Sequence, residues 1–134
     1  MNTPQKRKSF NIALLVKIGA GIVVAIWLLK TCNDQQQDRD VEMKGRGMLV
    51  AKGISGELPN GTGADYFHMR EDSSYKSEDY TFFFARLKAY QQGRSALRKR
   101  GLSEGDLDKV PEQSLIDAAR SGSAALDNLA KQYD

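Results

Sequence analysis

The apolar residues of this chain begin with one long block. Residues 10–29, FNIALLVKIGAGIVVAIWLL, contain only two strongly polar residues, Asn11 and Lys17. Twenty helical residues span roughly 30 Å, which is the thickness of the hydrocarbon core of a bilayer. A helix also satisfies its own backbone hydrogen bonds, as a segment in lipid requires. The pattern therefore predicts a single transmembrane helix over 10–30, preceded by a basic tail at 1–9.

A polar stretch follows the apolar block. No apolar residue lies between Asn33 and Asp40, so we expect 31–41 to be a linker, either a spacer or a solvated extension of the helix. Frequent glycines then punctuate the chain as far as Gly63. Because glycine weakens a helix, the pattern over 42–76 predicts irregular structure or short strands, near 47–52 and 54–58.

From residue 77 onward, apolar residues recur at spacings of three and four, the period of an α-helix. Helices are predicted over 77–100, 103–109 and 111–132, with Ser103 as an N-cap and Pro111 in a first turn. The apolar positions include Tyr80, Phe83, Phe84 and Leu87 in the first of these helices and Leu115, Leu126 and Leu129 in the last. We therefore expect a mainly α protein with a small helical domain over 42–134, for which an α+β fold is the alternative.

The charges are divided unevenly along the chain. Residues 1–32 contain five bases and no acids, whereas the remaining residues contain 15 bases and 17 acids. The basic character therefore belongs to the flanks of the apolar block and gives no reason to expect nucleic-acid binding. Since basic residues favour the cytoplasmic side, the bases before the block predict a cytoplasmic N-terminus and a C-terminal domain on the other side. In a bacterium with two membranes, that side is the periplasm.

Three residues of the apolar block are candidate helix contacts in the membrane. Lys17 either extends its side chain to the headgroups or pairs with an acid on another membrane helix. Gly21 and Ala25, four residues apart, permit another helix to approach closely, which makes an oligomer a candidate arrangement.

The lone cysteine opens two processing alternatives to a retained anchor. Cys32 ends the apolar block and is therefore a candidate lipidation site, although Lys30 fits a lipoprotein signal badly. Residues 18–29 also have the length of the apolar core of a cleaved signal peptide. We expect the retained anchor, with a lipoprotein tethered through Cys32 as the first alternative.

The sequence predicts no catalytic, cofactor-binding or metal-binding residues. His68 is the only histidine, and no nucleotide-binding, hydrolase or metal motif is present. A periplasmic ligand-binding module is the alternative, with Tyr66, Phe67, His68 and Tyr75 lining a pocket for a small molecule or a cell-wall fragment.

These patterns predict a non-enzymatic, single-pass protein of the bacterial inner membrane. Its periplasmic domain would bind a membrane or periplasmic partner, as an accessory or structural subunit of a cell-envelope assembly. The expected partner face consists of Tyr80, Phe83, Phe84, Leu87, Leu115, Leu126 and Leu129.

Overall fold

The computed structural model describes the backbone of residues 8–134 and the side chains of residues 12–134. It contains six α-helices: α1 (Lys8–Ala51), α2 (Thr62–Glu71), α3 (Ser77–Lys99), α4 (Glu104–Leu107), α5 (Glu112–Ser121) and α6 (Ser123–Tyr133). The protein is therefore mainly helical, with one long apolar helix near its N-terminus. Most of the basic tail expected at 1–9 lies outside the described residues.

The chain divides into two compact units, Met1–Asp40 and Val41–Asp134. In the first unit, α1 continues through the polar residues after the apolar block. The stretch expected as a linker is therefore helical up to Asp40, in the form of a solvated helix extension.

The second unit begins with the last turns of α1 and contains α2 to α6. The prediction of short strands near 47–52 and 54–58 is wrong. Residues 41–51 are helical, and the part of the chain that the structure describes contains no strand. Leu49 is completely buried, and packing of this kind offsets the low helix propensity of the neighbouring glycines.

Gly53 ends α1. Its φ of +79° is in the left-handed region, which glycine adopts without steric cost. Gly53 N donates to Val50 O and Ile54 N donates to Leu49 O, both at 2.9 Å. These two bonds satisfy carbonyls at the helix end in the Schellman arrangement. One glycine that had suggested a strand boundary is thus a helix terminator.

Two apolar clusters form the core of the second unit. The smaller has Leu49, Tyr66 and Leu87 at its centre, from α1, α2 and α3 respectively. The larger joins α3 to the C-terminal helices and includes Tyr90, Leu97, Leu102, Leu107, Val110, Leu115, Ile116, Leu126 and Leu129. Since α3 contributes to both clusters, it is the central element of the unit.

The C-terminal helices follow the predicted caps but not the predicted lengths. The helix expected over 77–100 corresponds to α3, and the Ser103 side chain accepts a hydrogen bond from Asp106 N at 3.2 Å, capping the short α4. The prediction of a single helix over 111–132 is wrong, because the chain forms two helices that are separated at Gly122, whose φ is +106°. The break allows Leu115 of α5 and Leu126 of α6 to pack in the same core.

Candidate functional site

The first candidate site is the apolar part of α1 in the first unit. Among residues 8–134, α1 is the one helix long and apolar enough to cross a membrane, and none of the side chains in its most apolar stretch is buried. Trp27, the single tryptophan, is 65% exposed there. Exposing this much apolar surface to water is unfavourable, so these side chains need an apolar environment.

The membrane-contact residues proposed from the sequence lie on this exposed stretch. Lys17, Gly21 and Ala25 follow one another at spacings of four and therefore share one side of α1. No atom of the described residues lies within 4 Å of the position that a Cβ on Gly21 would take. Cys32, at the end of the stretch, is exposed and unpaired in the described part of the chain.

The partner face expected on the helical domain is largely interior. Leu87, Leu115, Leu126 and Leu129 are all buried, so they pack within the second unit and cannot present a surface to another protein. The periodicity identified positions that become buried, but the covering helices belong to this same chain. This part of the prediction is therefore wrong.

The remaining members of that face, Tyr80, Phe83 and Phe84, are half-buried around Tyr66. The Tyr66 ring stacks on Phe83 and makes a tilted contact with Phe84, with ring centroids 5.8 Å apart in each case. The Tyr80 hydroxyl donates a hydrogen bond to Met69 O at 2.8 Å. Packing of this kind joins α2 to α3 and leaves Tyr66 only 1% exposed.

The residues expected to line a ligand pocket do not form one wall. Tyr66 is inside the aromatic cluster, whereas His68 and Tyr75 are exposed on the surface. Phe67 is half-buried, with Lys44 Nζ 5.9 Å from the centre of its ring. Because one of the four lies in the core and two face solvent, they do not surround a common cavity.

A second site, which the sequence did not suggest, is the crossing of α1 and α2. A Cβ on Gly45 would lie 1.5 Å from Gly63 O, and one on Gly63 would lie 2.3 Å from Glu42 O. The two helix backbones therefore touch at a point where only glycine fits. Glycine is required here for close approach, which explains its presence inside α1.

The Glu42 carboxylate caps α2 at this crossing. It accepts hydrogen bonds from Ala64 N at 2.7 Å and from Gly63 N at 3.2 Å, and Arg46 Nε lies 2.7 Å from the same carboxylate. The first backbone N–H groups of a helix have no partner within the helix, so a carboxylate placed there stabilises it. Burial raises the pKa of Glu42, but the bonds from Ala64, Arg46 and Gly63 outweigh this and lower it below the ordinary 4.5.

The lowered pKa of Glu42 gives a pH dependence of known sign. Because the carboxylate is more acidic in the folded than in the unfolded chain, its stabilising effect is complete above pH 4.5 and is lost as the pH falls through the lower, folded value. We expect Glu42→Gln to lower the free energy of unfolding by about 1–2 kcal/mol at pH 7. Urea unfolding at several pH values should show the difference from wild type shrinking below pH 4.5. A difference that stays constant with pH would contradict the capping role.

A third site is a cluster of ion pairs between α3, α4 and the loop after α1. Arg94 Nε lies 3.0 Å from Glu57 Oε2, and Arg94 Nη2 lies 2.9 Å from Asp108 Oδ1. Arg98 lies 2.9 Å from Glu57 and 2.6 Å from Glu104. Burial lowers the pKa of Arg94, but its hydrogen bonds to Asp108 and Tyr90 outweigh this effect, so the net pKa is raised above its ordinary value. The bond from Arg98 lowers the pKa of Glu104, so this pair stays charged.

An open cleft of about 590 Å³ lies beside these ion pairs. Its wall includes Arg46, Glu57, Tyr90, Arg94, Asp108 and Glu112. The charged members are paired within the chain: Arg46 with Glu42, Arg94 with Glu57 and Asp108, and Glu112 with Arg86. The pairs connect distant parts of the second unit, so the cluster acts as a structural brace.

Comparison of the chain with protein-family models, with curated proteins and with solved structures gives no significant match.

Proposed function

We propose that this chain is a non-enzymatic, single-pass membrane protein whose C-terminal domain binds a partner protein as an accessory or structural subunit of a cell-envelope assembly. The observation that carries the proposal is the exposed apolar stretch of α1, which no side chain of the described residues covers. Lipid would provide the apolar surroundings that these side chains require.

The charges on either side of the stretch support one orientation. The bases that precede it favour a cytoplasmic N-terminus, which directs residues 41–134 to the periplasmic side of an inner membrane. In that position the anchor would confine the domain to a thin layer. Confinement raises the effective concentration of the domain near other membrane-bound proteins without any new contact.

Cys32 allows the proposal to be tested with the natural sequence, because it is the only cysteine of the chain and lies just after the apolar stretch. We expect the protein to stay in the membrane fraction after alkaline carbonate washing. A membrane-impermeant maleimide should label Cys32 in cells whose outer membrane has been permeabilised. Extraction by carbonate would contradict the anchor, and labelling only after cell lysis would contradict the orientation.

Two further measurements separate the alternatives. An intact mass equal to that of the full chain would exclude both the lipoprotein and the cleaved signal peptide, whereas a lipid adduct at Cys32 would favour the lipoprotein. Purification in mild detergent should yield a stoichiometric partner. A lone monomer under those conditions would contradict the proposed role as a subunit.

A further inference from the structure

The polar residues in the middle of α1, 33–40, lack the contacts that stabilise the turns after them. All eight are exposed, and in the described part of the chain none of their side chains forms a hydrogen bond or an ion pair. The following turns are fixed, because Glu42 caps α2 and Leu49 is completely buried. The two compact units also divide at the end of these residues, between Asp40 and Val41. We call residues 33–40 the polar segment.

The sequence of the polar segment, NDQQQDRD, favours a helix only weakly. Four of its eight residues are Asn or Asp, whose side chains compete for backbone hydrogen bonds and lower the helix propensity. Asp34 and Asp38 lie four residues apart, as do Asp38 and Glu42, and like charges at this spacing destabilise a helix. The favourable pairs at the same spacing do not form: Lys30 with Asp34 and Gln36 with Asp40. Since packing supplies most of the stability of a helix, the polar segment unfolds locally more readily than the turns after it.

The loop between α1 and α2, residues 52–61, is tied to α3. Ser55 O accepts a hydrogen bond from Gln91 Nε2 at 2.7 Å, and Glu57 Oε2 lies 3.0 Å from Arg94 Nε. A protease requires several residues to detach from the fold together, so cleavage in this loop would first break these contacts.

The loop between α2 and α3, residues 72–76, is exposed but short. Its backbone is held locally, since Ser74 N donates a hydrogen bond to Asp72 Oδ1 at 2.8 Å. The helices at its two ends are joined by the bond from the Tyr80 hydroxyl to Met69 O. Drawing this loop into a protease would therefore separate α2 from α3, whereas opening the polar segment breaks no packing of the second unit.

We infer that the polar segment is the site at which an endoprotease separates the second unit from the apolar stretch of α1. Local unfolding of the helix exposes extended backbone, and water adds across one peptide bond within 33–40, which leaves a new carboxylate and a new amino group. Both apolar clusters consist of residues after Asp40, so the released part keeps its whole core. Cleavage would end the confinement that an anchor provides, and thus regulate the proposed function.

An endoprotease that cuts after acidic residues is the probe, applied to the full chain in mild detergent. The polar segment contains Asp34, Asp38 and Asp40, while Glu57 and Asp72 are matched sites in the two loops. We expect the first fragment that ends at residue 134 and lacks the apolar stretch to begin within 35–41, as identified by mass spectrometry. A first fragment that begins after residue 41, or no such fragment, would overturn the inference.

Two sets of substitutions change the helix without changing the acidic cleavage sites. Replacing Gln35, Gln36 and Gln37 together by alanine should slow the cut after Asp38 by about fivefold, because alanine favours the helix. Gln36→Gly should speed the same cut by about threefold. Each rate is divided by that of the same variant unfolded in urea, so that only access to the backbone is compared. Rates that do not differ between the two variants would overturn the inference.

The same variants separate this inference from the proposed function in the cells that make the protein. We expect a fragment that begins within 34–41 in the soluble fraction, at a lower level in the triple alanine variant. Absence of the fragment, while the full chain resists carbonate washing, would overturn the inference and leave the proposed function intact. Extraction of the full chain by carbonate would contradict the anchor, whereas the cleavage measured in detergent tests the polar segment independently.

Discussion

Gly45→Ala should destabilise the second unit more than any other single-methyl change that we predict. The added Cβ would meet the carbonyl of Gly63 at 1.5 Å, so the backbones of α1 and α2 must separate. Overpacking of this kind costs roughly 3 kcal/mol, since no flexible side chain can yield. For a domain of this size, the melting temperature should fall by more than about 10 °C. Thermal unfolding of the full chain in detergent, followed by near-UV circular dichroism of the tyrosines, measures the change.

The matched control is Gly47→Ala, two residues along the same helix. Its Cβ would enter open space, and alanine is about 1 kcal/mol more favourable than glycine inside a helix. We therefore expect Gly47→Ala to raise the melting temperature by a few degrees. If the two variants shifted the melting temperature in the same direction, the close crossing of α1 and α2 would be wrong.

Arg94→Met should have the second largest effect. The Arg94 side chain is only 11% exposed and contacts Glu57, Glu104 and Asp108. Methionine preserves the packing of the aliphatic part of the arginine side chain but leaves the three carboxylates without their shared cation. We expect the free energy of unfolding at pH 7 to fall by about 2 kcal/mol, measured by urea unfolding.

Arg98→Met is the corresponding control for Arg94→Met. Arg98 also pairs with Glu57 and Glu104, but its side chain is 42% exposed, so solvent screens those pairs. We expect a clearly smaller loss of stability than in Arg94→Met. Since protonation removes the charge of the carboxylates, the difference between Arg94→Met and wild type should also shrink in acid. Equal losses at both positions would show that burial of Arg94 is unimportant to the brace.

The sequence predicted the helices well where local signals define them. The three- and four-residue periodicity located α3, and the capping residue Ser103 located the start of α4. Both depend on neighbours within a few positions along the chain. The apolar stretch of α1 was equally evident, because its length and composition alone distinguish it.

The errors occurred where distant residues decide the structure. Glycines weaken a helix in isolation, so a strand was expected near residue 48. The helix that contains Gly45 is instead stabilised by its close contact with Gly63, which local patterns do not reveal. The periodicity over 111–132 likewise did not show that Gly122 would separate two helices. Leu87 of α3 and Leu115 of α5 were each correctly placed on the apolar side of a helix. Periodicity does not show, however, which chain covers that side.

The candidate sites depend even more on tertiary contacts. Glu42 reaches the N-terminus of α2, and Arg94 reaches Glu57, in each case across a long sequence separation. No residue spacing in the sequence marks either pair in advance. Arg98 likewise reaches Glu57 across a long sequence separation and also pairs with Glu104.

The placement of Trp27 gives the chain two independent optical probes. The single tryptophan lies in the apolar stretch of α1, whereas all five tyrosines lie in residues 41–134. Tryptophan emission therefore reports on the polarity around this stretch, and tyrosine dichroism reports on the packing of the second unit. A titration with brominated lipids, which quench indole emission on contact, would test whether lipid surrounds the stretch without disturbing the tyrosine signal of the second unit.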